Sequence, residues 1–380
     1  MSESRRGSRT DRMDASETLL LKAAGCLEAE PSLTAWRAFR ERVKEGDENI
    51  VARRLLPLVC RNLLKLGHPG DPYLSRAYAQ SLGANARMVD EAARALLALH
   101  EASIKTMVLK GTALLLVHYR DLGARPMADV DILVPESEAT DALDALEAVG
   151  WRGDPSRRWL KTESHAGTVV SPSGLCVDLH RHATYEARFT SADEGFFEDS
   201  VPLDISGALT SAMSTGDQLL HTVIHGQRWS IARSPIWVID AATLLRAGGV
   251  HIQKTVARAA SLRLCVGLRH GLETMRQVLG SEEGLEALLG ELGADPERSR
   301  RVRLSTASEH IEHWFRVREP TGFLGALPNL WFAYRRSGPS GQAPLSGFAS
   351  FLSNVWRLGP NQSLGRLMLA KARRRLRSRF

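Results

Sequence analysis

Two aspartates, Asp129 and Asp131, lie two residues apart at the start of an apolar run that continues to Val134. The branched aliphatic residues around them favour a buried strand, in which residues i and i+2 share a face about 6–7 Å apart. Buried carboxylates are costly unless they bind a cation, and such a pair can hold one or two hard divalent ions. The pair therefore predicts a metal site on a sheet, which fits the apolar neighbours better than two solvated turn acids.

A third acid, Asp178, sits between Val177 and Leu179 in another apolar segment that favours a strand. If this strand lies beside the first, Asp178 completes a set of three carboxylates. Its predicted role is that of a general base for an acceptor hydroxyl, with a share in metal binding. The structural alternative is a salt bridge to an arginine.

Residues able to bind phosphate surround this acidic pair. Lys110, Gly111 and Thr112 follow a short apolar segment, and glycine lets the backbone approach a ligand closely, beside a lysine and a hydroxyl. Arg125 precedes Pro126, which favours an extended or turn conformation, and it would contact phosphate or pair with Asp129. Carboxylates beside phosphate-binding groups predict metal-assisted phosphoryl or nucleotidyl transfer.

A competing hypothesis uses four histidines, since His180 and His182 form a His-x-His pair and His221 and His225 are four residues apart on one helix face. With an acid they could bind zinc in a metal-dependent hydrolase. The His-Glu-x-x-His pattern of zinc proteases is lacking, as are the signature motifs of P-loop, dinucleotide-binding and α/β-hydrolase proteins.

The organisation of the chain follows from its composition and periodicity. Residues 1–15 are polar and expected to be disordered, 16–100 form a helical N-terminal subdomain, and 101–205 alternate between strand and helix patterns. Residues 206–315 are predicted to be helical, and 316–380 irregular or helical. The expected elements are strands at 106–109, 129–134, near Trp159, at 168–170 and at 175–179, and helices at 111–120, 137–149, 217–226, 236–246 and 252–279.

Positive charge is concentrated at one end of the chain. The net charge is +7, and the six basic residues among 371–380 account for all but +1 of it. A nearly neutral body gives no strong signal for nucleic-acid binding. The basic tail is either a solvated extension or a weak contact for an anionic membrane surface.

Cysteine usage and hydropathy indicate the compartment. The four cysteines form no Cys-x-x-Cys pair and are expected to be reduced thiols. The first residues are charged and lead into no apolar stretch, and no window resembles a membrane span. These features predict a cytoplasmic protein.

Three segments resemble a known family: Leu109-Lys110-Gly111, the block Arg125-Pro126-Met127-Ala128-Asp129-Val130-Asp131, and Val177-Asp178-Leu179-His180. They are similar to the uncharacterised bacterial nucleotidyltransferase family of the polymerase-β superfamily, over roughly residues 50–250. The resemblance implies an α+β fold, with a small mixed sheet flanked by helical N-terminal and C-terminal regions. One departure is Thr112, which stands where the superfamily usually has serine and keeps a hydroxyl for phosphate.

The same resemblance implies a reaction and a site. Mg²⁺, or Mn²⁺, would be bound by Asp129, Asp131 and Asp178, and a nucleoside triphosphate such as ATP would donate its monophosphate to a hydroxyl-bearing acceptor. The acceptor could be a small molecule, a peptide or a protein. His180, His225 and Asp240 are candidates for the acceptor side, although core roles for His225 and Asp240 fit equally well. A degenerate nucleotide-binding scaffold protein is the non-enzymatic alternative.

Overall fold

The computed structural model describes residues 14–161, 164–227 and 235–293, together with Trp331, Tyr334, Gly347, Phe348 and Leu352. The basic tail and most of the region 316–380 lie outside these residues, as do residues 1–13 of the expected disordered segment. Residues 14 and 15 belong to the first helix and its cap, so helical structure begins just inside that segment.

The N-terminal region is helical, as the apolar spacing predicts. Its helices are α1 (Ala15–Gly25), α2 (Ala29–Arg42), α3 (Ile50–Lys65) and α4 (Pro72–Glu101). Asn49 caps α3 by accepting a hydrogen bond from the Ala52 N–H at 2.8 Å. Asp71 caps α4, which has Pro72 in its first turn. These caps fix where α3 and α4 begin, and both helices contribute residues to the site.

The middle of the chain forms a mixed six-stranded sheet with order β3-β4-β2-β1-β6-β5. Its strands are β1 (Met107–Val108), β2 (Val130–Leu133), β3 (Ala166–Val170), β4 (Cys176–His180), β5 (Val201–Ile205) and β6 (Ala208–Ala212). The pairs β2–β4 and β1–β6 are parallel, and the other neighbours are antiparallel. The strands β2 and β4, which carry predicted acids, are therefore direct neighbours.

Helices surround this sheet in sequence and in space. Between the strands lie α5 (Lys110–Ala113), a π-helical segment Leu114–Tyr119, a 3₁₀ turn Glu136–Glu138, α6 (Ala139–Ala148), α7 (Arg158–Lys161) and α8 (Glu194–Glu198). After the sheet come α9 (Thr215–Gly226), α10 (Ile236–Ala247), α11 (Ile252–Ser261), α12 (Cys265–Leu279) and α13 (Glu283–Gly293). Buried apolar side chains form one continuous core from α1 to α13. The expected α+β fold, a small mixed sheet flanked by helices, is confirmed.

Three local expectations need correction. Trp159 lies in the short helix α7 and not in a strand. From this helix its ring packs against Gly167 of β3. The expected helix 252–279 is broken at Arg263, whose φ of +57° ends α11. The sheet also continues past residue 205, where the sequence placed the start of a helical region. The Ser206-Gly207 turn, with positive φ at both residues, returns the chain as β6 beside β1.

No helix within the described residues is long and apolar enough to cross a membrane.

Candidate active site

The site is built where β2 and β4 run side by side. Asp131 and Asp178 are direct partners in the parallel register, so their side chains project from the same face of the sheet. His180, two residues after Asp178, shares that face. One donor atom from each of these three residues lies within 4.8 Å of the others. Thr168 on β3 donates a hydrogen bond to Asp178 Oδ1 at 2.6 Å and holds its carboxylate in place.

Asp129 lies just before β2, at the edge of the same charge cluster. Burial, and next the negative charge of Asp131, raise the pKa of Asp129, while Lys110 lowers it and Asp178 raises it further. The three predicted acids therefore interact electrostatically. The close three-ligand group contains Asp131, Asp178 and His180, with Asp129 outside it.

Asp131 is the electrostatic centre of the site, with a side chain only 3% exposed. Lys110 Nζ lies 2.5 Å and His180 Nε2 2.8 Å from its Oδ1. Burial by itself would raise the pKa of Asp131, but the Lys110 charge and the His180 hydrogen bond outweigh burial and hold that pKa well below its usual range. The carboxylate is ionised and ready to bind a cation.

His180 has an orientation suited to metal binding. Its Nδ1 lies 3.2 Å from the His182 carbonyl oxygen, which can only accept a hydrogen bond, so Nδ1 carries a proton. Histidines that bind metals commonly donate their second ring N–H in this way, and a cation would take the place of the proton that Nε2 shares with Asp131. The sequence placed His180 on the acceptor side, whereas the structure places it beside the carboxylates. The two carboxylate oxygens suit Mg²⁺ or Mn²⁺, whereas the imidazole nitrogen is a softer ligand that is more usual for transition metals.

Next to this cluster is a cavity of about 400 Å³, within the range of small-molecule sites. Predicted residues on its wall are Lys110, Gly111, Arg125, Asp129, Asp131, His221, His225 and Asp240. Sequence reasoning missed other wall residues, notably Arg54 and Trp237, which come from α3 and α10. The cavity is thus formed by residues in and next to the central strands β1 and β2, together with helices from both flanking regions.

Arg125 is held by a buried ion pair with Asp240. Its Nε lies 3.0 and 2.9 Å from the two carboxylate oxygens, and Asp240 is 1% exposed. Burial would lower the pKa of Arg125, but the Asp240 charge outweighs it and raises that pKa. Tyr119 donates a further hydrogen bond to Asp240 at 2.9 Å. The sequence offered Asp129 as the ion-pair partner of Arg125; the partner is instead Asp240, which positions the guanidinium at the cavity.

The backbone around Arg125 is fixed by a fully buried residue of α4, Asn85. Its amide nitrogen donates to the carbonyl oxygens of Leu122 and Arg125 at 2.6 and 2.8 Å, and its amide oxygen accepts from the Met127 N–H at 3.1 Å. A single side chain thereby satisfies three backbone groups of an irregular segment. These hydrogen bonds fix the backbone at Arg125 and in the segment that leads to the acid-bearing strand β2.

Thr112 does not face the cavity. Its hydroxyl is buried and lies 3.7 Å from the Met127 sulfur, to which it donates. It is not among the described residues that line the cavity wall. The predicted phosphate contact of this hydroxyl therefore has no support from its position, and Thr112 packs α5 against the segment leading to β2.

The four histidines of the hydrolase hypothesis do not converge. His182 contacts Asp193 at 2.9 Å and Glu136 at 3.3 Å, away from the acids. His221 donates from Nε2 to the Ala183 carbonyl at 3.0 Å, and burial lowers its pKa to about 3, so it is neutral. Of the four, only His180 belongs to the three-ligand group found among the described residues.

Gly111 is required for the packing of Arg125. A Cβ atom at this position would lie 2.8 Å from Arg125 Nη1 and 3.0 Å from Met127 Cγ. Replacing Gly111 with alanine is expected to push the guanidinium into the cavity and to destabilise the fold by about 1–3 kcal/mol, the usual cost of overpacking. Urea unfolding measures this cost.

Gly83, within α4, is the matched control. The nearest side-chain atom to a Cβ there is 4.0 Å away, so Gly83→Ala should raise the free energy of unfolding by up to about 1 kcal/mol through helix propensity. If both alanine variants are stabilised alike, the packing role of Gly111 is wrong.

More than half of the chain matches a known protein family. Residues 48–280 match the family described as uncharacterised nucleotidyltransferase, and the chain belongs to that family. The predicted family resemblance is thus confirmed. No curated protein matches the chain significantly.

Two solved structures are similar to this chain. One is the solution structure of the antibiotic-resistance factor ANT(2'')-Ia, at 14% identity, covering 60% of this chain and 99% of that one with a TM-score of 0.35. The other is an antigenic nucleotidyltransferase-like protein from Paracoccidioides brasiliensis, at 15% identity, covering 53% and 97% with a TM-score of 0.32.

Proposed function

We propose that this nucleotidyltransferase family member moves a nucleoside monophosphate from a nucleoside triphosphate to a hydroxyl-bearing acceptor and depends on Mg²⁺ or Mn²⁺. The observation that carries the proposal is the direct pairing of Asp131 with Asp178 on adjacent parallel strands. Asp131 lies on the wall of a cavity that is also lined by lysine and arginine, and Asp178 is its direct neighbour on the next strand; this arrangement suits a metal-bound triphosphate.

Each residue has a defined role in this proposal. Asp131, Asp178 and His180 would hold the cation, with Asp129 adding negative charge beside them. When bound, the cation offsets charge on the phosphates and on the leaving pyrophosphate. Lys110 and Arg125 bind phosphate oxygens, because both cations lie on the cavity wall.

The bond changes balance without a further reactant. The acceptor oxygen forms a bond to the α-phosphorus, the bond between that phosphorus and the α–β bridging oxygen breaks, and pyrophosphate leaves with the bonding electrons. Asp178 takes the proton from the acceptor hydroxyl. Thr168 keeps the carboxylate of Asp178 oriented through its hydrogen bond to Oδ1.

The acceptor in this proposal is a small molecule, a peptide or a protein, and it would approach from the side of His225, which belongs to α9. Asp240 supports that side indirectly by holding Arg125. All four cysteines are free thiols, which fits a reducing compartment, and we propose the cytoplasm.

The test compares wild type with Asp129→Asn. The wild-type protein should be stabilised by its preferred Mg·NTP, by about 2.7 kcal/mol at a hundredfold excess over Kd. It should also release pyrophosphate with one member of an acceptor panel. Asp129→Asn should lose most of both responses, since the asparagine amide neither binds a cation as strongly nor balances the phosphate-binding cations.

Asp141→Asn, at an exposed position of α6, makes the same chemical change away from the site and should behave as wild type. An equal Mg·NTP response of wild type and Asp129→Asn would contradict the proposal. Nucleotide binding with no pyrophosphate release across all acceptors would favour the scaffold alternative.

A further inference from the structure

The cavity wall includes an arginine from outside the sheet and its acidic strands. Arg54 lies in the second turn of α3, whose start is set by the Asn49 cap, and its side chain lines the cavity together with Arg125 and Asp129. Neither the family motif nor the residues of the proposed mechanism include it. Helix α3 therefore brings a positive charge from the N-terminal region to the site.

The other cations of this wall are already paired. Lys110 contacts Asp131, and Arg125 contacts Asp240. Arg54, in contrast, has no hydrogen-bond or ion-pair partner within the described part of the chain. Burial, and next the like charge of Arg125, lower the pKa of Arg54, and the charges of Asp240 and Asp129 offset only part of this effect. A half-buried guanidinium without a partner is costly, and an anion in the cavity would remove that cost.

Asp129 is an acidic residue that likewise lacks a partner of opposite charge. Its carboxylate lies on the same cavity wall and has no hydrogen bond or ion pair with any residue in the described ranges. One cavity thus contains an unpartnered anion and an unpartnered cation that do not pair with each other. A ligand that presents a metal ion to the first and phosphate oxygens to the second satisfies both charges at once.

We infer that Arg54, together with Arg125, binds the β- and γ-phosphates of the incoming nucleotide, the part that leaves as pyrophosphate. Two guanidinium groups that repel each other favour the ligand portion with the highest density of negative charge. The α-phosphate belongs beside the metal-binding acids, so the remaining phosphates are the ones left for the two arginines. This inference rests on the proposed nucleotidyl transfer and adds a polyphosphate-binding residue to it.

Arg53 provides a matched control, because it is adjacent on α3, carries the same charge and is exposed to solvent away from the cavity. The experiment titrates wild type, Arg54→Ala, Arg54→Lys and Arg53→Ala by calorimetry with three probes. The probes are the preferred Mg·NTP, Mg·pyrophosphate and the corresponding nucleoside monophosphate. Thermal unfolding without ligand reports whether each variant folds.

Arg54→Ala is expected to weaken Mg·NTP and Mg·pyrophosphate binding by about tenfold to a hundredfold, the usual effect of a lost charged hydrogen bond. Its affinity for the monophosphate should stay within about twofold of wild type. Arg54→Lys should lose less, since it keeps the charge without the planar fork. Arg53→Ala should match wild type with every probe. The unfolding temperature of Arg54→Ala should not fall, because no native partner is lost.

The three probes distinguish a wrong role for Arg54 from a wrong assignment of nucleotidyl transfer. If wild type binds Mg·NTP and Arg54→Ala binds pyrophosphate equally well, the role of Arg54 is wrong and the proposed transfer stands. If Arg54→Ala weakens monophosphate binding as strongly as pyrophosphate binding, its assignment to the β- and γ-phosphates is wrong. If wild type binds none of the three probes, both proposals fail.

Discussion

Asp131→Asn is expected to weaken binding of Mn²⁺, used as a paramagnetic probe of the proposed metal site, by at least about tenfold to a hundredfold. Changes to residues that merely orient metal ligands already cost that much, and Asp131 would be a direct ligand. The asparagine amide would also place a neutral group between Lys110 and His180, both of which now bond the Asp131 carboxylate. Titration followed by electron paramagnetic resonance measures the free and bound Mn²⁺.

The exposed Asp141→Asn variant is again the matched control, and its Mn²⁺ affinity should equal that of wild type. Circular dichroism should show that the Asp131→Asn variant is folded, so that a lost metal site is not confused with a lost fold. Wild-type Mn²⁺ affinity in folded Asp131→Asn would rule out Asp131 as a ligand.

Arg125→Met is expected to reduce the free energy of unfolding by about 3–5 kcal/mol. Methionine keeps much of the aliphatic packing beside Gly111 but leaves the Asp240 carboxylate buried with no opposite charge. Tyr119 would remain as a hydrogen-bond donor to Asp240, which does not replace the lost positive charge. Urea unfolding followed by fluorescence measures the change.

The double variant Arg125→Met/Asp240→Asn tests the reason for this loss. Removing the stranded carboxylate should recover a large part of the lost stability, because a neutral amide costs far less to bury than an unpaired charge. Mg·NTP affinity should stay low in the double variant, since the guanidinium that we propose binds phosphate is absent. A loss below about 1 kcal/mol in Arg125→Met, or no recovery in the double variant, would contradict the buried-pair assignment.

The acidic strands could be predicted from the sequence because their signal is local. Asp129 and Asp131 interrupt an apolar run, and Asp178 interrupts another. Burying carboxylates in such strands is unfavourable unless they are paired with a cation. The apolar residues next to these acids are sufficient to predict that each acid lies in a strand. The prediction that Asp178 joins the first pair holds for Asp131, since the two short strands pair in the register that aligns Asp131 with Asp178, whereas Asp129 lies outside the close three-ligand group.

Features that depend on distant pairing could not be predicted in this way. The partner of Arg125 is Asp240, and nothing near either residue in the sequence indicates that α10 faces the segment before β2. The Thr112 hydroxyl looked suitable for phosphate, yet its neighbour in the fold is the Met127 sulfur. Local pattern shows which residue types are present, whereas tertiary contacts decide which way each side chain faces.

Arg54 is an intermediate case, since a sequence signal existed. In α3 the buried residues Val51 and Leu58 are seven apart, and Arg54 occupies the position between them on the same helical face. A charged residue where the spacing calls for an apolar one indicates a buried role. Strand β6 also had a local signal, the Ser206-Gly207 turn, but its short flanking segments resembled the start of the next helix.

The hairpin turn between β3 and β4 is closed by a hydrogen bond of 2.8 Å from the Ser171 N–H to the Leu175 carbonyl oxygen. Gly174 in this turn has a φ of +88°. Because side chains alternate along a strand, deleting one residue between this turn and Asp178 would move the Asp178 side chain to the opposite face of the sheet. Evolution can thus vary amino acids around the turn far more freely than it can vary the number of residues there. Insertions and deletions among natural relatives should accumulate elsewhere.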